Sequence, residues 1–161
     1  MKAAHINPFL NSTLNMMASM TGREPIPGQK SLLTNFHSHR WDVSGVIGIT
    51  GTAEGIIAIR MTKNMVEKLL AASGVFFSDV DEFNELTNSM IGEIANVIAG
   101  NALSEISQYN LDITVPIVIQ GKDHTISWPH NNPVIVIPFS SAFGPFEVCV
   151  SLKECLIKSF A

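Results

Sequence analysis

Between Ser78 and roughly Tyr109 the apolar residues keep helical spacing, while the segments on either side of that stretch repeat with a period of two. This arrangement of periods limits the possible folds more than any other feature. Upstream, in WDVSGVIGIT, Val43, Gly45, Ile47 and Ile49 fall on one face of a strand and Ser44, Val46, Gly48 and Thr50 on the other; GTAEGIIAIRM repeats a strand-like pattern after a turn at Gly51, which predicts a β-hairpin. Downstream, Asp112–Gln120, His124–Trp128, Pro133–Pro138 and Phe146–Leu152 alternate or run apolar. Turns at GKD, HNNP and SSAFGP separate them, so several antiparallel strands are expected.

Two further helical patterns complete the order. From Ile6 to Met20 the residues Ile6, Leu10, Leu14 and Met17 recur at helical spacing, with Asn7 as N-cap, Pro8 at the first helical position and an end at Gly22. Arg23–Gln29, with Pro25, Pro27 and Gly28, reads as a turn into extended chain. In Thr62–Ser73, Thr62 can cap a helix whose Met65, Leu69 and Leu70 face a core. Ser78 or Asp79 can cap the long stretch, and Asp81, Glu82 and Glu85 place negative charge near its positive end. The order is helix, strands, two helices, strands, in two halves alike in type. Grouped strands without alternating β-α-β crossovers point to an α+β fold, with long helices packed on an antiparallel sheet.

With 161 residues, 46% of them hydrophobic, the chain can bury one core without disulfides or metals, so a single domain over 1–161 is expected. A net charge of -4 and 10 scattered Lys and Arg residues offer no basic footprint for nucleic acid. Cys149 and Cys155 form neither a CxxC pair nor a disulfide framework and read as reduced thiols. The N-terminal residues lack a signal-peptide apolar run, and the most hydrophobic stretch, Met90–Leu103, is short and interrupted by Gly92, Glu93, Asn96, Gly100 and Asn101. A soluble, cytoplasmic protein is expected.

On the long helix, Ser89, Glu93, Asn96 and Gly100 fall within about 60° of one another. Roughly opposite lie Ile91, Ile94, Ala95, Ile98 and Ala102, the face that would meet a sheet. An acid and an amide at i and i+3 project side by side, and Gly100 one turn later removes bulk where another surface could approach. Taken on geometry alone, the same stripe also fits a solvated helix face with no task.

Glu93 and Asn96, the following Gly100–Asn101, the upstream INPFLNST and the DVSGVIGITG of 42–51 together resemble the CheX family of chemotaxis phosphatases over most of the chain. The family motif is an Asp or Ser, three residues, Glu, two residues, Asn, and later a Pro; the matching positions here are Ser89, Glu93, Asn96 and Pro116. Pro116 comes sooner than the usual spacing. Asp81, Glu85 and Asn88 also satisfy the acid and ExxN part, but Asn88 leads straight into the better-matched segment, so Ser89, Glu93 and Asn96 are preferred.

The resemblance implies a CheC-like fold and hydrolysis of the aspartyl phosphate on a CheY-like response regulator. Asn96 would orient the attacking water and Glu93 would contact the regulator's lysine, with Ser89 and Gly100 as docking positions. Mg²⁺ is expected in the regulator's site and no cofactor in this chain. The first helix carries no glutamate between Asn7 and Met20, so one site per chain is expected, where related CheC proteins have a second. The resemblance also implies a possible homodimer through the sheets. The alternative from another class is a noncatalytic module that recognises a phosphorylated regulator.

Other conspicuous residues have plainer readings. His37 and His39, with Asp42 nearby, lack a clear third ligand and fit an exposed polar face better than a metal site. Met16, Met17 and Met20 fit core filling. The glycines at 45, 48, 51 and 55 lack the GK[ST] of a phosphate loop. Cys149 has no evident histidine partner and reads as a buried structural thiol.

Overall fold

The computed structural model describes residues 3–34, 40–106, 108–122 and 124–155. Its elements run α1 (Ala3–Thr21), β1 (Ile26–Pro27), β2 (Ser31–Leu32), β3 (Val43–Gly51), β4 (Ala53–Met61), α2 (Lys63–Ala72), α3 (Val80–Glu105), β5 (Leu111–Ile113), β6 (Ile117–Gln120), β7 (Ile135–Ser140) and β8 (Phe146–Glu154). The strands form one antiparallel sheet in the order β1-β7-β8-β4-β3-β5, with β2 also on β7 and β6 also on β3. This is the expected α+β architecture. No helix among the described residues is long and apolar enough to cross a membrane.

The pleat of the β3–β4 hairpin explains its layers. Val43, Ile47 and Ile49 on β3, with Ile57, Ile59 and Met61 on β4, join the helices in the main core. Ala58 and Cys149 point to the opposite face, where Trp128, Val134 and Val136 form a smaller cluster. The helix α1 lies against α3, and the buried Ser12 hydroxyl donates to the Ile98 carbonyl at 2.9 Å. As expected, Thr62 caps α2 by accepting from the Met65 amide, and Met65, Leu69 and Leu70 are buried.

Four expectations are corrected. The helix α1 begins before the predicted cap: Asn7 is helical, its side chain accepts from Lys30 Nζ at 2.7 Å, and Pro8 lies inside the helix. Burial of His5 and Ile6, with the His5 ring 5.2 Å from that of Tyr109, holds the turn that Pro8 weakens by lacking an N–H. The single strand expected over 112–120 is broken at 114–116, where Pro116 cannot donate to the ladder. The segment 124–128 is not a strand; His124 hydrogen-bonds to Ser44, and Trp128, only 7% exposed, packs on the outer face. The long helix also stops at Glu105, short of Tyr109.

Candidate functional site

The helix α3 is held at its start by a reciprocal set of bonds. Asp79 accepts from the Glu82 amide at 2.8 Å, and the Glu82 carboxylate accepts from the Ser78 amide at 2.9 Å and its hydroxyl at 2.7 Å. Those bonds, the backbone one foremost, hold the Glu82 carboxyl below its ordinary value. Along its length the helix is seated by Ile91, Ile94, Ala95, Ile98 and Ala102, all buried. Gly45 on β3 makes the close approach possible: a Cβ there would come within 2.8 Å of Ile91 Cγ2 and 3.2 Å of Ala95 Cβ.

Away from that buried face, the structure brings Ser89, Glu93, Asn96 and Gly100 into one strip on a single helix. Ser89, Glu93 and Gly100 are exposed and Asn96 is half-buried. The strip spans about 16 Å at 1.5 Å per residue, with Glu93 and Asn96 about 4.5 Å apart along the axis. Neither the Glu93 carboxylate nor the Asn96 amide has a hydrogen-bond partner among the described residues, so both are available to an incoming group. Gly100 is equally open, since a Cβ there would meet nothing within 4 Å. A carboxylate beside an amide can hold a cation and orient a water molecule.

The competing set on the same helix is differently occupied. Asp81 lies in the first turn, and the Asn88 side-chain oxygen accepts from Gln120 Nε2 at 2.8 Å, which also donates to the Asn84 carbonyl at 2.9 Å. Asn88 therefore joins α3 to β6 and is not a free amide.

Other candidates fall outside the strip. His37 and His39 lie outside the described residues, and Asp42 accepts from the Lys63 amide at the start of α2. Among the described residues no three His, Cys, Asp or Glu side chains converge as a metal site requires. Burial, and after it the Glu147 carboxylate, pushes the fully buried Cys149 thiol well above its ordinary value, the opposite of an activated nucleophile. Met17 is buried, and Met16 and Met20 pack against the core.

Two features beside the strip were not predicted. The Pro116 ring packs at Gly92, 3.7 Å from where a Cβ would stand and one residue before Glu93. Beyond Gly100 an open cavity of about 400 Å³ runs between the end of α3 and β5. Pro116 itself, already matched to the family motif, was the sequence signal for the first; the second had none.

The model of the family described as chemotaxis phosphatase CheX matches residues 43–140. Among solved structures, the chemotaxis protein CheX from Desulfovibrio desulfuricans is 35% identical with a TM-score of 0.82, covering 92% of this chain and 99% of that one. A CheC-like superfamily protein from Shewanella sp. PV-4 is 29% identical with a TM-score of 0.83, covering 95% and 99%. The CheX of a CheX–CheY–BeF3–Mg²⁺ complex from Borrelia burgdorferi is 26% identical with a TM-score of 0.79, covering 93% and 98%. No curated protein matches the sequence.

Proposed function

Since this chain belongs to the chemotaxis phosphatase CheX family, we propose that it hydrolyses the aspartyl phosphate of a CheY-like response regulator from the strip on α3. Water attacks the phosphorus, the bond to the aspartyl oxygen breaks, and the products are a free carboxylate and inorganic phosphate, which takes up the proton of the attacking water. Such a transfer asks for an in-line water and neutralised charge more than for a strong base. Asn96 holds the water, a role a neutral amide can fill. Glu93 accepts from the regulator's lysine in a charge-assisted contact that sets the approach. Mg²⁺ belongs to the regulator, as the complex from Borrelia burgdorferi suggests.

The observation that carries this reading is the pairing of an unengaged carboxylate and an unengaged amide on a helix tightly seated against the sheet. Ser89 and Gly100 extend the strip as docking positions. A single CheX-like domain with one site, working in the cytoplasm and forming a homodimer through its sheets, completes the proposal; sedimentation tests the dimer.

The test is loss of phosphoryl group from purified CheY-like regulators with Mg²⁺, comparing no enzyme, the native chain and its Asn96→Ala variant. The native chain accelerates loss, and Asn96→Ala lowers kcat by about 100-fold or more while still binding. Glu93→Ala lowers kcat/KM by about tenfold or more, the range for losing a charged hydrogen bond. Full activity in Asn96→Ala sinks the water-positioning role. Phospho-dependent binding without turnover by the native chain makes it a noncatalytic recognition module instead.

A further inference from the structure

Resting on that proposed function, we infer that the regulator docks along the seam between α3 and the β5–β6 edge, and that Val115 sets the affinity of docking without touching the reacting atoms.

The seam owes its shape to an inserted residue. Ile113 pairs with Ile49 and Ile117 with Val46, so residues 114–116 stand opposite only Ile47 and Gly48. Such a bulge re-aims side chains and ends regular pairing. Thr114 fastens one side of it, its N–H donating to the Gly48 carbonyl and its hydroxyl accepting from the Gly48 amide, both at 2.9 Å. On the other side Pro116 turns inward onto Gly92. Val115 is left between them, 83% exposed.

Contact with Gly92 sets this bulge against the flank of α3 that borders the strip. A protein partner cannot bury Glu93 and Asn96 alone, because even a standard interface covers about 800 Å² on each side. Whatever reaches the strip must also cover its borders, which are Val115 on one flank and, past Gly100, the cavity lined by Leu103, Tyr109 and Ile113. A bulge with a proline is a poor template for adding a strand, which argues against a second copy pairing at this stretch of edge. The occupant is therefore the receiver domain that brings its phosphoryl group to Asn96, with Val115 as an apolar contact at the border.

Turnover is measured against phosphorylated regulator concentration for the native chain, Val115→Asp and the neutral Val115→Gln. Binding is measured separately to regulator loaded with beryllofluoride and Mg²⁺. Placing a charge in a desolvated contact raises KM and Kd together by about tenfold in Val115→Asp and less in Val115→Gln, with kcat within about twofold. An exposed position tolerates both changes, and an unaltered urea midpoint verifies it. Unchanged KM and Kd in both variants, with Asn96→Ala still inactive, overturn the assignment of Val115 and leave the phosphatase reading standing. A change in sedimentation without a change in Kd also overturns it, in favour of a contact between copies. If the native chain binds without turning over, the Kd comparison alone decides; if it binds no regulator, both proposals fall.

Discussion

At the scale of single residues, Gly100 separates what the fold needs from what a partner needs. A glycine inside a helix is less stable than alanine by about 0.5–1 kcal/mol. Nothing within 4 Å of a Cβ at Gly100 demands its absence. Gly100→Ala should therefore raise unfolding stability by about 0.5–1 kcal/mol in urea titrations. Gly100→Trp should fold equally well yet bind beryllofluoride-loaded regulator more weakly, because its ring fills the approach beside Asn96. Unchanged affinity in Gly100→Trp would remove Gly100 from the docking surface. Gly45 is the opposite case: its missing side chain is occupied by Ile91 and Ala95.

For the elements, the seat of α3 on β3 decides the precision of the site. Adding a methyl group at Gly45 would force Ile91 and the helix backbone outward, and such overpacking costs about 1–3 kcal/mol. Gly45→Ala should lower the urea midpoint accordingly and reduce kcat more than KM, since Glu93 and Asn96 ride on the displaced helix while the docking groups remain. A loss of stability with kcat untouched would show that the helix position tolerates the shift. Local signals predicted this element well: the apolar stripe, the Asp79 cap and the polar strip all follow from residues within a few turns of one another. Its neighbour along the edge was less legible, because the break at Thr114–Pro116 depends on how Thr114 bonds to Gly48, sixty-six residues away.

For the whole molecule, the outer face of the sheet carries a buried polar chain that joins three distant segments. His124 Nδ1 lies 2.7 Å from the Gly121 carbonyl, which can only accept, so Nδ1 donates there, and Nε2 shares a hydrogen bond with the Ser44 hydroxyl at 2.7 Å. Arg60 Nε donates to Ser44 Oγ at 3.2 Å, and its guanidinium is 3.9 Å from Glu147. Burial raises the Glu147 carboxyl above its ordinary value, with Arg60 opposing the shift. Breaking a buried pair costs about 3–5 kcal/mol, and the long contact places Arg60→Ala near the low end. A carboxyl raised by folding penalises its ionised form, so that cost enters as pH rises from the ordinary value of 4.5 through the raised one. The stability lost in Arg60→Ala should thus be larger at neutral pH than well below pH 4.5, where Glu147 is protonated in both states; an equal loss across that range would exclude Glu147 as the cause.

Periodicity and capping are properties of neighbouring residues, and for that reason the sequence by itself determined the hairpin, the start of α2, the long helix and the strip of Ser89, Glu93, Asn96 and Gly100 upon it. The tertiary structure decided what depends on distant partners. Burial of His5 and Ile6 carried α1 past Pro8 against its local preference. Gln120, thirty-two residues away, engaged Asn88 and left Asn96 as the amide without a bond. Pro116 came to rest on Gly92 and left Val115 exposed at the bulge on that flank of α3, a juxtaposition that no local pattern encodes because it forms only when the sheet edge closes against the helix.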